Sequence, residues 1–388
     1  MRGNPDTAEK ERSTMQDYLG KDTFKLGFGL MRLPKLQDGH IDVEQVKTMA
    51  DKFIAAGGTY FDTAFVYDGG ESEAVFKAAV ADRYPRTAYT VATKLHAAAA
   101  GCHDEQSAKQ QFYTSLERTG AGYFDYYLLH ALQRTTYQKY DEYHLWDFVR
   151  EQKEKGLIRH IGFSFHADPE LLEQVLNRHP EVEFVQLQIN YADWENPGVA
   201  SKRNWEICRA HGKPVVVMEP VKGGILADPI PGVKEALDAA GKGWSYPSWA
   251  LRFVMSQPDL LTVLSGMSSV AQMEDNLSTM RDFTPLDEET LSYIKKAQAA
   301  LDADKSIPCT ACHYCTEGCP RGIAIPEIFN VINRSKGSPQ FRIVREYLIV
   351  TLGKGKASDC LHCGQCENVC PQHLPIMKLL EECRKFEG

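Results

Sequence analysis

Asp42-Val-Glu-Gln-Val-Lys-Thr-Met-Ala-Asp-Lys-Phe-Ile-Ala-Ala-Gly-Gly-Thr-Tyr-Phe-Asp-Thr63 sets the rhythm of the chain. Val43, Val46, Met49, Ala50, Phe53 and Ala56 recur at helical spacing. Asp42 is placed as N-cap with Gln45 three residues on, and Gly57-Gly58 stop the helix. Thr59 to Thr63 follows as a β-rich run. Before it, Phe24 to Leu33 reads as a strand ended by Pro34 and the turn Asp38-Gly39, so the segment is one βαβ unit.

The alternation continues downstream. Further strands are expected at Tyr89 to Leu95, Tyr123 to His130, Ile158 to Ser164, Phe184 to Ile189, Pro214 to Met218 and Leu260 to Gly266. Helices are expected between them at Glu71 to Asp82, Asp104 to Thr119, Asp141 to Lys155, Pro169 to Arg178, Ala200 to His211 and Ser248 to Ser256. About eight βα units over roughly 270 residues is the size and rhythm of a (β/α)₈ TIM barrel. An open doubly wound sheet is the rival, but Leu26-Gly-Phe-Gly-Leu30 does not continue into a GxGxxG phosphate loop. The expected layout is a polar N-terminal tail at 1–20, the barrel at 21–283, a linking helix within 284–306 and a small, mainly helical, cysteine-rich domain at 307–388.

The bulk numbers narrow the partners. The chain has 388 residues, 43% of them hydrophobic and 25% charged, with a net charge of -8. That balance gives no general attraction to nucleic acid or to anionic lipid. The polar first twenty residues lack the apolar core of a signal peptide, and no run approaches the ~20 apolar residues of a membrane span. A cytoplasmic location is expected.

Several strand ends carry titratable groups. Asp62 closes one strand with Tyr67 five positions on, while Lys94 and His130 sit at two later strand ends. In a barrel these groups meet at the C-terminal mouth, where barrel enzymes react.

Asp62-Thr-Ala-Phe-Val-Tyr67, Thr93-Lys94, Leu128-Leu-His130 and Gly162-Phe-Ser-Phe-His166 resemble the aldo-keto reductases, in the right order across residues 21 to about 283. The resemblance implies Tyr67, Lys94, Asp62 and His130 as catalytic residues and a nicotinamide cofactor, NADP or NAD, lying extended across the barrel mouth. In the chemistry it implies, a hydride delivered to a carbonyl carbon leaves charge on the oxygen, so a proton donor is needed there, and free tyrosine, with a pKa of ~10, is a poorly matched acid near neutrality. Lys94 beside Tyr67 is expected to lower that pKa, with Asp62 holding Lys94 charged and His130 orienting the carbonyl oxygen. In this family His at the fourth position goes with carbonyl reduction rather than reduction of an enone double bond. By the same likeness Ser164 and Gln186 hold the carboxamide, with Gln188 as the alternative alignment. Met218 stands where many members place an aromatic ring. Ser265 to Asn276 resembles the adenosine-phosphate segment, with Gly266, Ser268, Gln272, Asp275 and Asn276 as contacts. Gly266 and Gln272 fall where NADP-preferring members commonly carry Lys or Arg.

Eight of the eleven cysteines form two runs. Cys309-x₂-Cys312-x₂-Cys315-x₃-Cys319-Pro320 and Cys360-x₂-Cys363-x₂-Cys366-x₃-Cys370-Pro371 each match the bacterial ferredoxin run for a 4Fe-4S cluster. In two-cluster ferredoxins the fourth cysteine of each run serves the other cube. That assigns Cys309, Cys312, Cys315 and Cys370 to one cluster and Cys360, Cys363, Cys366 and Cys319 to the second, with zinc as the less specific alternative. Cys208 is expected in the core, and His96, His103, His160 and His166 as loop or packing residues. The insert between the runs is expected to be helical at Ile325 to Asn333 and Phe341 to Leu352.

The expected function is reduction of a small-molecule aldehyde or ketone by NAD(P)H, fused to a two-cluster module. The alternative is an electron-transfer or docking protein coupled to a redox protein partner. Nicotinamide moves two electrons and each cluster one, so direct exchange needs a converter such as a flavin, for which no motif is evident.

Overall fold

The computed structural model describes residues 24–99 and 101–387. The polar tail, 1–20, lies outside these residues. Eight parallel strands close into a barrel in sequence order. They are β1 (Leu26–Gly29), β2 (Tyr60–Asp62), β3 (Thr90–Leu95), β4 (Phe124–Leu132), β5 (Ile158–Phe165), β6 (Phe184–Gln188), β7 (Val215–Met218) and β8 (Leu260–Ser265). The seam closes where Leu26 of β1 pairs with Val263 of β8.

Helix termini follow the capping chemistry of the sequence. The Asp42 side chain accepts from Gln45 N at the head of Val43–Ala55, and Asp104 caps Glu105–Thr119, which a left-handed Gly120 ends. Pro169–Arg178 begins with proline in its first turn, capped by Asp168.

Two layers of apolar side chains hold the barrel. Inside it, Tyr60, Tyr126 and Phe184 plug the end opposite the strand termini, with Tyr60 and Tyr126 ring centres 4.8 Å apart. Gly162 makes room for this plug, because a Cβ there would meet the Phe184 ring at 2.5 Å. Outside, Phe28, Phe53, Phe61 and Phe76 lead a layer between strands and helices.

Several boundaries differ from the sequence reading. The first strand stops at Gly29, and Leu30–Arg32 turns as a 3₁₀ helix, which keeps Leu30 buried while carrying Arg32 over the mouth. The helix expected from Asp141 to Lys155 is two, Tyr137–Glu142 and Leu145–Glu154, broken where His144 takes a left-handed φ of 50°. Glu71 to Asp82 is likewise an α-helix, Glu71–Phe76, continued by a π-helix, Lys77–Ala81. β4 runs past His130 to Leu132 through an irregularity, with Ala131 left-handed at φ 53°.

The helix Glu288–Ala303 packs on Pro231–Asp238 and puts Ile294 and Ala297 into the barrel's outer core. The C-terminal residues have a core of their own, built on Ile323, Ile328, Phe329, Tyr347, Leu374 and Leu380. Its helices Ile325–Arg334 and Gln340–Val350 fill the insert between the cysteine runs. No helix among the described residues is long and apolar enough to cross a membrane.

Candidate active site

β2, β3 and β4 deliver the three expected strand-end groups to one point. Lys94 Nζ lies 2.5 Å from Asp62 Oδ1, 2.7 Å from the Thr63 carbonyl and 3.3 Å from Tyr67 Oη, and Lys94 is fully buried. An ammonium has three protons to donate and no lone pair, so these three oxygens satisfy it completely. Burial pushes the Lys94 ammonium down and the Asp62 carboxyl up, and each is opposed by the other's charge. Because Tyr67 Oη accepts from Lys94, its own proton is free to point into the cavity.

One electrostatic expectation is overturned. Lys94 was expected to lower the Tyr67 phenol, but burial raises it well above 10.0, helped by the charges of Asp62 and Glu219. The Lys94 charge is already spent on Asp62. Tyr67 therefore keeps its proton through neutrality.

His130 faces Tyr67 edge-on, with ring centres 5.7 Å apart. Burial first, then His96, Lys94 and His166, hold its imidazole well below 6.5, so it is neutral. Its Nδ1 is buried without a partner. The His96 ring lies 5.2 Å from His130, and His166 lines the same cavity, so two histidines read as packing residues belong to this site.

A cleft of about 490 Å³ opens beside the tetrad, bordered by Asp62, Tyr67, Gln186 and Met218. At its other end are Gly266, Ser268, Gln272, Asp275 and Asn276. Gln186 pairs in register with Ser164 across β5 and β6, and its Oε1 is buried without a partner, an acceptor suited to a carboxamide N–H. Ser164 Oγ accepts from Ala131 N at 2.7 Å, which leaves its own proton to donate. Gln188 does not line the cleft; its amide donates to Asp193. Asn276 donates to Ser265 Oγ, and Asp275 accepts from Ser245 Oγ, both at 2.7 Å, so this end of the cleft is held rigid. These residues fit an extended nicotinamide dinucleotide.

The iron-sulfur unit covers the tetrad. The Arg32 guanidinium donates to the Thr310 carbonyl at 2.8 Å, Lys222 Nζ to Gln372 Oε1 at 2.9 Å, and Thr135 Oγ1 to the Asn368 carbonyl at 3.0 Å. Between the two units remains a cavity of about 60 Å³ whose walls include Tyr67, His130, Ser164, Gln186, Cys312 and Tyr314. Nothing in the sequence announced Arg32, Glu219, Lys222 or Tyr314 as site residues. Their roles arise from docking between segments far apart in the chain.

The two cysteine runs have the same backbone. Ala311 and His313 in the first, and His362 and Gly364 in the second, take left-handed conformations at matching positions, curling each loop around a centre. Cys319 of the first run lines one hollow with Cys360, Cys363 and Cys366 of the second. Cys370 lies within electrostatic reach of Cys309, Cys312 and Cys315. This crossed grouping fits two cubes that exchange their fourth ligands. Among the described residues no three His, Cys, Asp or Glu side chains gather tightly around a point suited to one metal ion. Cys208 and Cys102 are buried in the barrel's core, away from these runs, whereas Cys383 is buried in the same small core as Cys315, Cys366 and Cys370.

The aldo/keto reductase family model matches residues 25–299, and a 4Fe-4S dicluster domain matches residues 308–374. The chain belongs to the aldo/keto reductase family. Among curated relatives, an L-galactose dehydrogenase of Arabidopsis thaliana is 26% identical over 302 residues, covering 73% of this chain and 92% of the relative. An aldo-keto reductase of Mycolicibacterium paratuberculosis is 34% identical over 173 residues, 43% of this chain and 54% of the relative. Among solved structures, an aldo-keto reductase from Bacillus halodurans in its holo form aligns with a TM-score of 0.57 at 25% identity, covering 70% of this chain and 91% of that one. This aldo/keto reductase is thus an oxidoreductase of a family that typically uses NAD(P), joined to a 4Fe-4S dicluster domain.

Proposed function

We propose that this aldo/keto reductase reduces a small aldehyde or ketone at the expense of NAD(P)H, with Tyr67 as the acid. The observation that carries this reading is the Lys94 ammonium, shared between Asp62 and the Tyr67 hydroxyl at the mouth of the cleft. A bound reduced nicotinamide supplies the hydride. Ser164 and Gln186 would hold its carboxamide, and Met218 would offer it an apolar, polarisable surface. Neutral His130 donates from Nε2 to the carbonyl oxygen and fixes its direction. Tyr67 gives that oxygen its proton as negative charge develops there, which is where positioned donors accelerate a reaction.

Both titratable groups hold one protonation state over a wide range. The Tyr67 phenol titrates above 10.0 and the His130 imidazole below 6.5. The value of kcat/KM for reduction is expected to stay flat between about pH 7 and pH 9. A phenol lowered by lysine would instead lose its proton, and the rate, as pH rose through that window. A falling limb there that vanishes in Tyr67→Phe would contradict this account.

The adenosine end of the cleft presents Gln272, Asp275 and Asn276. Arg32, the one cation among its described lining residues, is engaged by the Thr310 carbonyl and lies 3.9 Å from Glu219. A ribose 2′-phosphate at that end would face a carboxylate, so NADH is the preferred cofactor in this reading. Beyond Tyr314 a further space of about 330 Å³ is lined by polar groups including Gln133, Thr136, Lys139 and Asn368. That space suits a hydroxylated substrate, in keeping with the sugar in the name of the Arabidopsis relative.

A second reading is favoured by the position of Cys312, which lines the same cavity as Tyr67 and Gln186, while Cys363 of the other run is solvent-exposed. The two cubes would then lead from the carbonyl site to the surface, where a redox protein partner would exchange single electrons. The test is anaerobic mixing of the iron-loaded protein with NADH, or with NADPH, followed by a short hydroxyaldehyde. Carbonyl reduction requires nicotinamide oxidation only after aldehyde is added, faster with NADH, and with cluster absorbance unchanged. Bleaching by the nicotinamide alone would favour the electron-transfer reading and demand a two-to-one converter such as a flavin.

A further inference from the structure

Tyr314 lies between Cys312 and Cys315, at the head of the short helix Tyr314–Glu317, where the left-handed His313 (φ 65°) turns its side chain toward the barrel. Its hydroxyl is 3.4 Å from His130 Nε2, and it lies near enough to the Tyr67 phenol to act on its titration. The Tyr314 and His130 rings stand nearly perpendicular, at 81°, with centres 6.3 Å apart. The corner between Tyr67 Oη and His130 Nε2 is the place the reading above gives to the reacting oxygen. Tyr314 bounds that corner from the side the barrel leaves open.

The docking of this loop is specific. A Cβ on Gly223 (φ 63°) would meet Thr310 Cβ and the Thr310 carbonyl oxygen at 2.6 Å, so the approach depends on glycine there. Arg32 holds the same Thr310 carbonyl. The second run carries Gln365 where the first carries Tyr314, and it has left-handed residues at the same two positions before it. The ligand loop therefore folds without a tyrosine at this place, and the phenol is free to serve the barrel.

We propose that Tyr314 is a further catalytic residue, a hydrogen-bond donor to the carbonyl oxygen contributed by the iron-sulfur domain. The proposal rests on the carbonyl-reductase reading above. As hydride bonds to the carbonyl carbon, the C=O π pair moves onto oxygen, which takes its proton from Tyr67. Tyr314 keeps its proton and donates only a hydrogen bond. The complete oxygen site then exists only when the iron-sulfur domain is seated on the barrel.

Acetate, an anion with the oxygen of the developing alkoxide, is the probe. Its affinity for the iron-loaded protein with oxidised nicotinamide dinucleotide is measured by calorimetry, alongside kcat/KM for propanal. Tyr314→Phe is expected to weaken acetate binding roughly tenfold or more, the scale of one hydrogen bond to a charged group. It is expected to lower kcat/KM for propanal by about 10- to 100-fold, with iron content and dinucleotide affinity unchanged. Tyr314→Leu, which also removes the ring, gives at least the same loss. Acetate affinity within twofold of wild type in Tyr314→Phe, with clear weakening in Tyr67→Phe, overturns the role of Tyr314. No weakening in either variant places the oxygen elsewhere and overturns the carbonyl-reductase reading with it.

Discussion

Tyr67→Phe is expected to lower carbonyl reduction by roughly 10²- to 10⁴-fold, the usual contribution of a positioned general acid, while dinucleotide binding stays nearly intact. The substitution removes one oxygen. That oxygen accepts from Lys94 and carries the proton the product needs. The dinucleotide contacts proposed above, by contrast, come chiefly from Ser164, Gln186 and the segment Gly266 to Asn276, none of which depends on the phenol. The buried Lys94 ammonium loses one of three acceptors but keeps Asp62 and the Thr63 carbonyl, so the pair stays charged and the barrel stays folded. Single-turnover rates with saturating NADH, and dinucleotide binding by fluorescence, separate the two effects. A variant keeping more than a tenth of its rate would remove Tyr67 from the acid's role.

Most of this barrel could be read from the sequence because each βα unit carries its own local signals. Asp42, Asp104 and Asp168 cap helices where the pattern put them, and parallel strands buried on both faces stand out as short apolar runs. Boundaries failed where the backbone bends without a compositional mark. His144 adopts a left-handed conformation that nothing in its neighbours requires, and Leu30 remains buried after β1 has ended, so the apolar pattern overran the strand. The tetrad was legible because it is a set of strand-end groups in register. Its electrostatics were not. Whether Lys94 lowers the Tyr67 phenol depends on how dry the site is, and the dryness comes from a domain whose Tyr314 contacts a residue 184 positions earlier. Spacing within the cysteine runs revealed the cluster chemistry but held no information on which face of the iron-sulfur unit meets the barrel.

That docking makes the two clusters unequal, and the inequality is measurable. Cys312 lines the cavity with Tyr67 and His130, on the loop that also carries Thr310 and Tyr314, and the companion loop after Cys370 contributes Pro371 and Gln372. Both loops belong to the cube assigned to Cys309, Cys312, Cys315 and Cys370. Cys363, assigned to the other cube, is exposed. Cys312→Ser is therefore expected to disturb one cube and, by loosening the loop that roofs the carbonyl site, to lower turnover by ~10²-fold, the range for losing a positioned donor at a reacting oxygen. Cys363→Ser is expected to disturb the other cube while leaving turnover within about twofold, since its loop touches neither Tyr67 nor His130. Iron quantification and electron paramagnetic resonance identify which cube is lost in each variant. Equal losses of turnover would mean that the clusters act together, as an electron path requires. Full turnover in both would mean that the barrel forms its carbonyl site without the loop. A large loss in Cys312→Ser alone ties the chemistry of the barrel to the geometry of one cluster, whether or not that cluster ever changes its charge.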